Sequence, residues 1–92
     1  MNIIAVNYVY DPEKSAELNQ HRPAHREFLR SLFDAAQLLA SGPLGTDEAL
    51  IIVRAESPES ALEILAADPL YEADIILKRT AQPWNPVIGP WE

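Results

Sequence analysis

Ala49-Leu50-Ile51-Ile52-Val53-Arg54-Ala55, then Ser57-Pro58-Glu59-Ser60-Ala61, then Ala66-Ala67-Asp68-Pro69: this run decides the fold. Its first part reads as a strand. Leu50 and Ile52 alternate with Ile51 and Val53, so both faces are apolar and both call for cover. Its second part opens a helix, with Ser57 as N-cap, Pro58 at the first helical position and Glu59 near the positive end of the dipole. Ala61, Leu62, Ile64 and Leu65 form the apolar side. Asp68-Pro69 ends that helix, because the residue before a proline resists helical geometry. Leu70 to Ala73 adds a short turn, and Asp74 to Ala81 reads as the last strand.

Working toward the N-terminus, Gly45-Thr46-Asp47-Glu48 is a turn by composition, and a short strand fits Ser41 to Leu44. Before it, apolar residues recur at helical spacing from Ala24 through Phe28, Leu32 and Ala35 to Leu39. Pro23 suits the first position of that helix, and Ser41-Gly42-Pro43 suits its stop. Glu13 to Gln20 is polar and its state is left open. Asn2 to Tyr10 is a strand with Ile4, Val6, Tyr8 and Tyr10 on one face and Ile3, Ala5 and Val9 on the other. The order is β-α-β-β-α-β, an α+β, ferredoxin-like arrangement with both helices on one face of an antiparallel sheet. The other sheet face is also apolar. A homodimer packed sheet on sheet is the economical cover for it. Gln82 to Glu92, with three prolines, Trp84 and Trp91, is an extended tail that should pack on the rest of the chain or on a partner subunit.

Ninety-two residues suggest one domain spanning 1–92. There is no cysteine, which excludes a disulfide framework, a CxxC redox site and thiolate-bound zinc. Seven basic against fourteen acidic side chains give a net charge of -7. That balance opposes polyanionic partners, and Ala49 to Arg54 lacks the aromatics of an RNA-binding sheet, so nucleic acid is excluded. No apolar run approaches a membrane helix, and Met1 to Val6 lacks the basic start of a secretory signal. A soluble cytoplasmic protein is expected. No phosphate loop or nucleophile elbow is present.

In this topology the start of the first helix and the end of the second share one end of the domain, so His25 and Asp68 can meet. An imidazole oriented by a carboxylate is a general base or acid near neutral pH. The bland alternatives are a helix-start histidine packed beside Leu29 and an Asp-Pro that merely ends a helix. Arg22 can bind a substrate carboxylate through its planar fork, or form a surface ion pair. Ser41 and Gly42 can supply a hydroxyl and a close backbone approach, or simply stop the helix. Tyr8 and Tyr71 can line a pocket or donate a proton, or pack in the core. His21 and His25 have the i,i+4 spacing of a metal-binding pair. Pro23 between them puts His21 before the helix and no third ligand is evident, so no metal is assigned.

Arg22-Pro23-Ala24-His25 with Phe28-Leu29, Ala40-Ser41-Gly42-Pro43, Ser57-Pro58-Glu59-Ser60-Ala61, Asp68-Pro69 and Pro83-Trp84 together resemble the YciI-like (YCII-related) proteins. The resemblance implies a dimeric α+β barrel and a His–Asp site, carried onto His25 and Asp68. Relatives by fold include muconolactone isomerases and small monooxygenases, which by analogy implies small cyclic or aromatic substrates. Leu70-Tyr71 stands where the family more often has an aromatic directly after the proline, and Ala73-Asp74 where it commonly has Ala-Gly. Both differences are expected to reshape the pocket wall. The turn Gly45 to Glu48 is short and lacks a glycine pair often seen there. Two functions follow: a small dimeric enzyme moving a proton without a cofactor, by isomerisation or elimination, or a non-catalytic small-ligand-binding dimer.

Overall fold

The computed structural model describes residues 2–91. Its elements run β1 (Asn2–Tyr10), α1 (Ser15–Asp34), β2 (Leu38–Leu44), β3 (Glu48–Ala55), α2 (Pro58–Leu65), α3 (Pro69–Glu72) and β4 (Ile76–Pro83). The four strands form one sheet in the order β2-β3-β1-β4, every neighbouring pair antiparallel. This is the α+β, ferredoxin-like arrangement expected from the element order.

Side chains alternate across the sheet, and the burial follows. Ile4, Val6, Tyr8 and Tyr10 of β1 are buried on the helix side, in one core with Ile51 and Val53 of β3, Leu65 of α2 and Leu70 of α3. Ile3, Ala5 and Val9 lie on the opposite face and are half-buried. Ile52 shares that face; it is buried but lies outside the contiguous core.

The first helix differs from expectation at both ends. A 3-10 turn at Pro12–Lys14, capped by Asp11 through the Glu13 amide at 2.9 Å, leads straight into α1 at Ser15. Pro23 therefore lies inside the helix and not at its first position. It leaves the Asn19 carbonyl without its helical donor, at a local cost of about 3 kcal/mol. The polar stretch stays helical because Leu18 buries there. The helix then stops at Asp34, well before Ala40. The Gln37 amide reaches back to the Leu32 carbonyl at 2.9 Å, and Ala36 takes the left-handed conformation with φ 63°. That is a Schellman ending with alanine where glycine is favoured. Ser41-Gly42-Pro43 consequently sits in strand β2 and does not stop a helix. Pro43 is tolerated because β2 is an edge strand. Ala36→Gly should stabilise the chain by about 1 kcal/mol, since it removes the left-handed Cβ penalty. Urea unfolding of the variant, with a raised midpoint and unchanged slope, checks it.

The second half follows its sequence closely. Ser57 caps α2 in a reciprocal box with Ser60, each hydroxyl accepting the other's amide at 3.1 Å. α2 stops at Leu65, three residues before Asp68, so Asp68 does not end it; Asp68 instead caps α3, accepting the Leu70 amide at 2.9 Å. β4 begins and ends two residues later than expected, so Gln82 and Pro83 belong to the sheet. The Trp84 amide donates to the Ile3 carbonyl at 2.9 Å, and the Trp84 and Trp91 rings meet edge to face at 6.2 Å. The tail thus folds on itself along the start of β1; Glu92 lies outside the described residues. Trp91→Ala should cost about 1 kcal/mol, the worth of one aromatic pair, read as a lowered denaturation midpoint. An unchanged midpoint would show that the ring contact does not stabilise the fold.

Candidate active site

Between α1 and the β2–β3 hairpin lies a cleft of about 640 Å³. Polar residues of α1 line one wall, among them Asn19, Arg22 and Arg26; Ser41, Gly42 and Thr46 line the other. Leu29 and Ile51 contribute apolar surface. A helix that turns polar groups toward its own sheet cannot pack there without leaving them unsatisfied. The gap is the consistent outcome.

His25 opens onto this cleft from the middle of α1 and is 8% exposed. Its Nδ1 lies 2.8 Å from Asp68 Oδ2 and 2.9 Å from Oδ1. Asp68 is 0% exposed. Its carboxylate also accepts the Tyr8 hydroxyl at 3.0 Å and the Leu70 amide at 2.9 Å. Three donors converge on one buried acid. An ionised carboxylate only accepts, so Nδ1 of His25 carries a proton and the neutral ring presents Nε2 as its basic nitrogen. Among the described residues Nε2 has no partner, and it is not among the buried unpartnered atoms, so it meets the cleft.

The phenols beside the carboxylate are held neutral. Burial, then the charge of Asp68, push the Tyr8 hydroxyl far above its usual range. Burial, then Asp68, push Tyr10 up to about 12, against the opposing pull of Arg22. The sign for stability follows. Below the unfolded-state value near 10 both states keep their phenol protons and nothing changes. Above it the unfolded chain loses protons that the fold retains, so stability falls by up to about 1.4 kcal/mol per pH unit for each phenol. Thermal melts from pH 8 to 12 should therefore drop only beyond about pH 10, with delayed phenolate absorbance in the folded protein.

Of the residues singled out from sequence, His25 and Asp68 meet, and Arg22, Ser41 and Gly42 line the same cleft. Tyr71 stands apart from it. Its ring is 42% exposed and lies under the Arg79 guanidinium at 3.8 Å, because the short α3 turns it outward. His21 is on α1 after all, one turn before His25, but its Nδ1 donates to the Glu17 carbonyl at 2.8 Å. Among the described residues no three His, Cys, Asp or Glu side chains gather as a metal site would need. Sequence reading treated Tyr8 mainly as core and left Arg26 out. A phenol on the core-facing side of β1 needs a partner, and Arg26 sits one turn beyond Arg22; both signals were available.

The fold and this buried Tyr–Asp–His group describe a ferredoxin-like domain with a cleft beneath its first helix. The chain belongs to the YCII-related family, whose domain matches residues 3–85. It is similar in structure to a 5-chloro-2-hydroxyhydroquinone dehydrochlorinase from Burkholderia phenoliruptrix AC1100 in complex with 2,5-dihydroxybenzoquinone. The TM-score is 0.77 at 19% identity, covering 90% of this chain and 93% of that one. An antibiotic biosynthesis monooxygenase gives a TM-score of 0.58 at 16% identity, over 92% and 97% of the two chains. An uncharacterized NIPSNAP domain protein from Burkholderia xenovorans gives 0.54 at 13%, over 94% of each. No functionally curated protein matches the chain by sequence. Among the described residues no helix is long and apolar enough to cross a membrane.

Proposed function

We propose that the chain is a small-molecule enzyme that moves a proton without a cofactor, by isomerisation or elimination. One observation carries this: a buried carboxylate with three donors sets His25 in the tautomer whose free Nε2 faces the cleft. Nε2 takes a proton from the substrate, Asp68 stabilises the imidazolium, and the electron pair released either shifts a double bond or expels a leaving group. Arg22 orients the substrate, and Ser41 and Gly42 shape the opposite wall. The likeness to a dehydrochlorinase supports elimination on a hydroxylated ring, in which chloride leaves as the proton is taken. The test is chloride release from 5-chloro-2-hydroxyhydroquinone and exchange of substrate hydrogen with deuterated water, on wild type and His25→Ala. Turnover or exchange that needs His25 supports the reading. Ligand binding with neither would assign the chain to a non-catalytic binding role.

The reading also includes a cytoplasmic homodimer joined through the bare sheet face. Ile3, Ala5, Val9, Leu50 and Ile52 lie on it, and Asn7 leaves its Oδ1 buried there without a donor. A second copy would cover the apolar side chains. Leu50→Glu should convert the dimer to monomer, because it would bury an unpaired charge in an apolar interface. Light scattering checks it; a monomeric wild type at micromolar concentration would refute the interface.

A further inference from the structure

We propose that the cleft takes a small cyclic carboxylate, its carboxylate bridged between Arg22 and Arg26 and its ring laid on the apolar wall. This rests on the reading of the cleft as a substrate site. The chain has twice as many acidic as basic side chains, fourteen against seven. Yet among the described residues the charged side chains lining the cleft are Arg22 and Arg26, and no carboxylate lines it. Placing cations there against the overall composition makes an attractive spot for an anion on a surface that otherwise repels one.

Both guanidinium groups are also available. Among the described residues the ion pairs are Lys14–Asp74 and His25–Asp68, so neither arginine is neutralised by a carboxylate. Arg22 is steadied by the neutral Asn19 side-chain oxygen at 3.2 Å, which positions it without consuming its charge. Other arginines are engaged differently: Arg30 lies over the Phe33 ring and Arg79 over the Tyr71 ring. Arg22 and Arg26 are one helical turn apart on α1 and both line the cleft, the i,i+4 placement from which two planar forks can serve one carboxylate. The apolar wall of Leu29, Pro43, Ala49 and Ile51 faces a flat ring, and the Ser41 and Thr46 hydroxyls can bond ring substituents. The volume suits a single substituted ring.

Benzoate is the probe and benzamide its uncharged counterpart, titrated by NMR into wild type, Arg22→Gln and Arg26→Gln. Benzoate should bind saturably, with shifts in α1 and the β2–β3 hairpin. Benzamide should bind about tenfold more weakly, and each arginine variant should lose about tenfold for benzoate. Added salt should weaken benzoate alone. The arginine variants leave His25 in place, so loss of benzoate in them reports on the anion cleft apart from the proton-transfer chemistry. The proposal is overturned if benzoate fails to bind, if benzamide binds equally well, or if both arginine variants bind benzoate as wild type does. Any of those would leave the His25 mechanism to its own test by chloride release and exchange. Saturable benzoate binding in a protein without exchange would uphold the anion cleft and remove the mechanism.

Discussion

Alanine at position 25 is expected to lower the rate of proton transfer by about a hundredfold to ten-thousandfold, the usual worth of a positioned general base. His25 presents the unpartnered ring nitrogen in the cleft, and no carboxylate there can take over, since Asp68 is buried behind the ring. The loss should fall on kcat, because the base acts as the proton moves. Arg22→Ala should instead raise KM, since its charge does not change during the transfer. Asp68→Asn should cost less than His25→Ala, because an imidazole without its orienter is still a base. The measurement is kcat and KM for the three variants on a substrate found through chloride release or deuterium exchange. His25→Ala turning over at the wild-type rate would end the mechanism. The fold should survive that substitution, because Asp68 keeps the Tyr8 and Leu70 donors.

Asp68→Ala is expected to have the largest effect on stability, about 3 to 5 kcal/mol. The carboxylate is fully buried, and its removal strands the Tyr8 hydroxyl and the Leu70 amide, both in the core, and the His25 Nδ1 proton. It also takes the cap from α3, whose single turn has little else to start it. Against a total stability of roughly 5 to 15 kcal/mol for a domain of this kind, that is a large fraction. Tyr8→Phe removes one donor and leaves no polar group orphaned on the phenyl side, so about 1 kcal/mol is expected. Denaturant midpoints for Asp68→Ala, Asp68→Asn and Tyr8→Phe, in that descending order of loss, test the arrangement. An Asp68→Ala protein as stable as wild type would show that these hydrogen bonds contribute nothing net.

The element order was legible because it rests on local chemistry. Ile4, Val6, Tyr8 and Tyr10 alternate with Ile3, Ala5 and Val9, and Ser57-Pro58 begins a helix wherever it is placed. The meeting of His25 and Asp68 was expected from two helix ends sharing one end of the domain; the two side chains do meet, but His25 reaches Asp68 from the middle of α1 and not from its first turn. The true course of α1 was not legible. Its first turns are polar because they face a cleft, and an apolar stripe is what local reading needs to find a helix. Its last turn ends on Ala36, where no glycine marks the stop.

By itself, then, the sequence determined the element order, the absence of cysteine chemistry and the residues available to a His–Asp pair. Only the tertiary structure decided that Tyr8 completes that pair, that Tyr71 is turned away under Arg79, and that Arg26 joins Arg22 at the cleft. Hydrophobic periodicity and capping act over a few residues. Which donor reaches a buried carboxylate, and which charges share a cavity, depends on segments up to sixty residues apart, brought together only when the sheet closes under its helices.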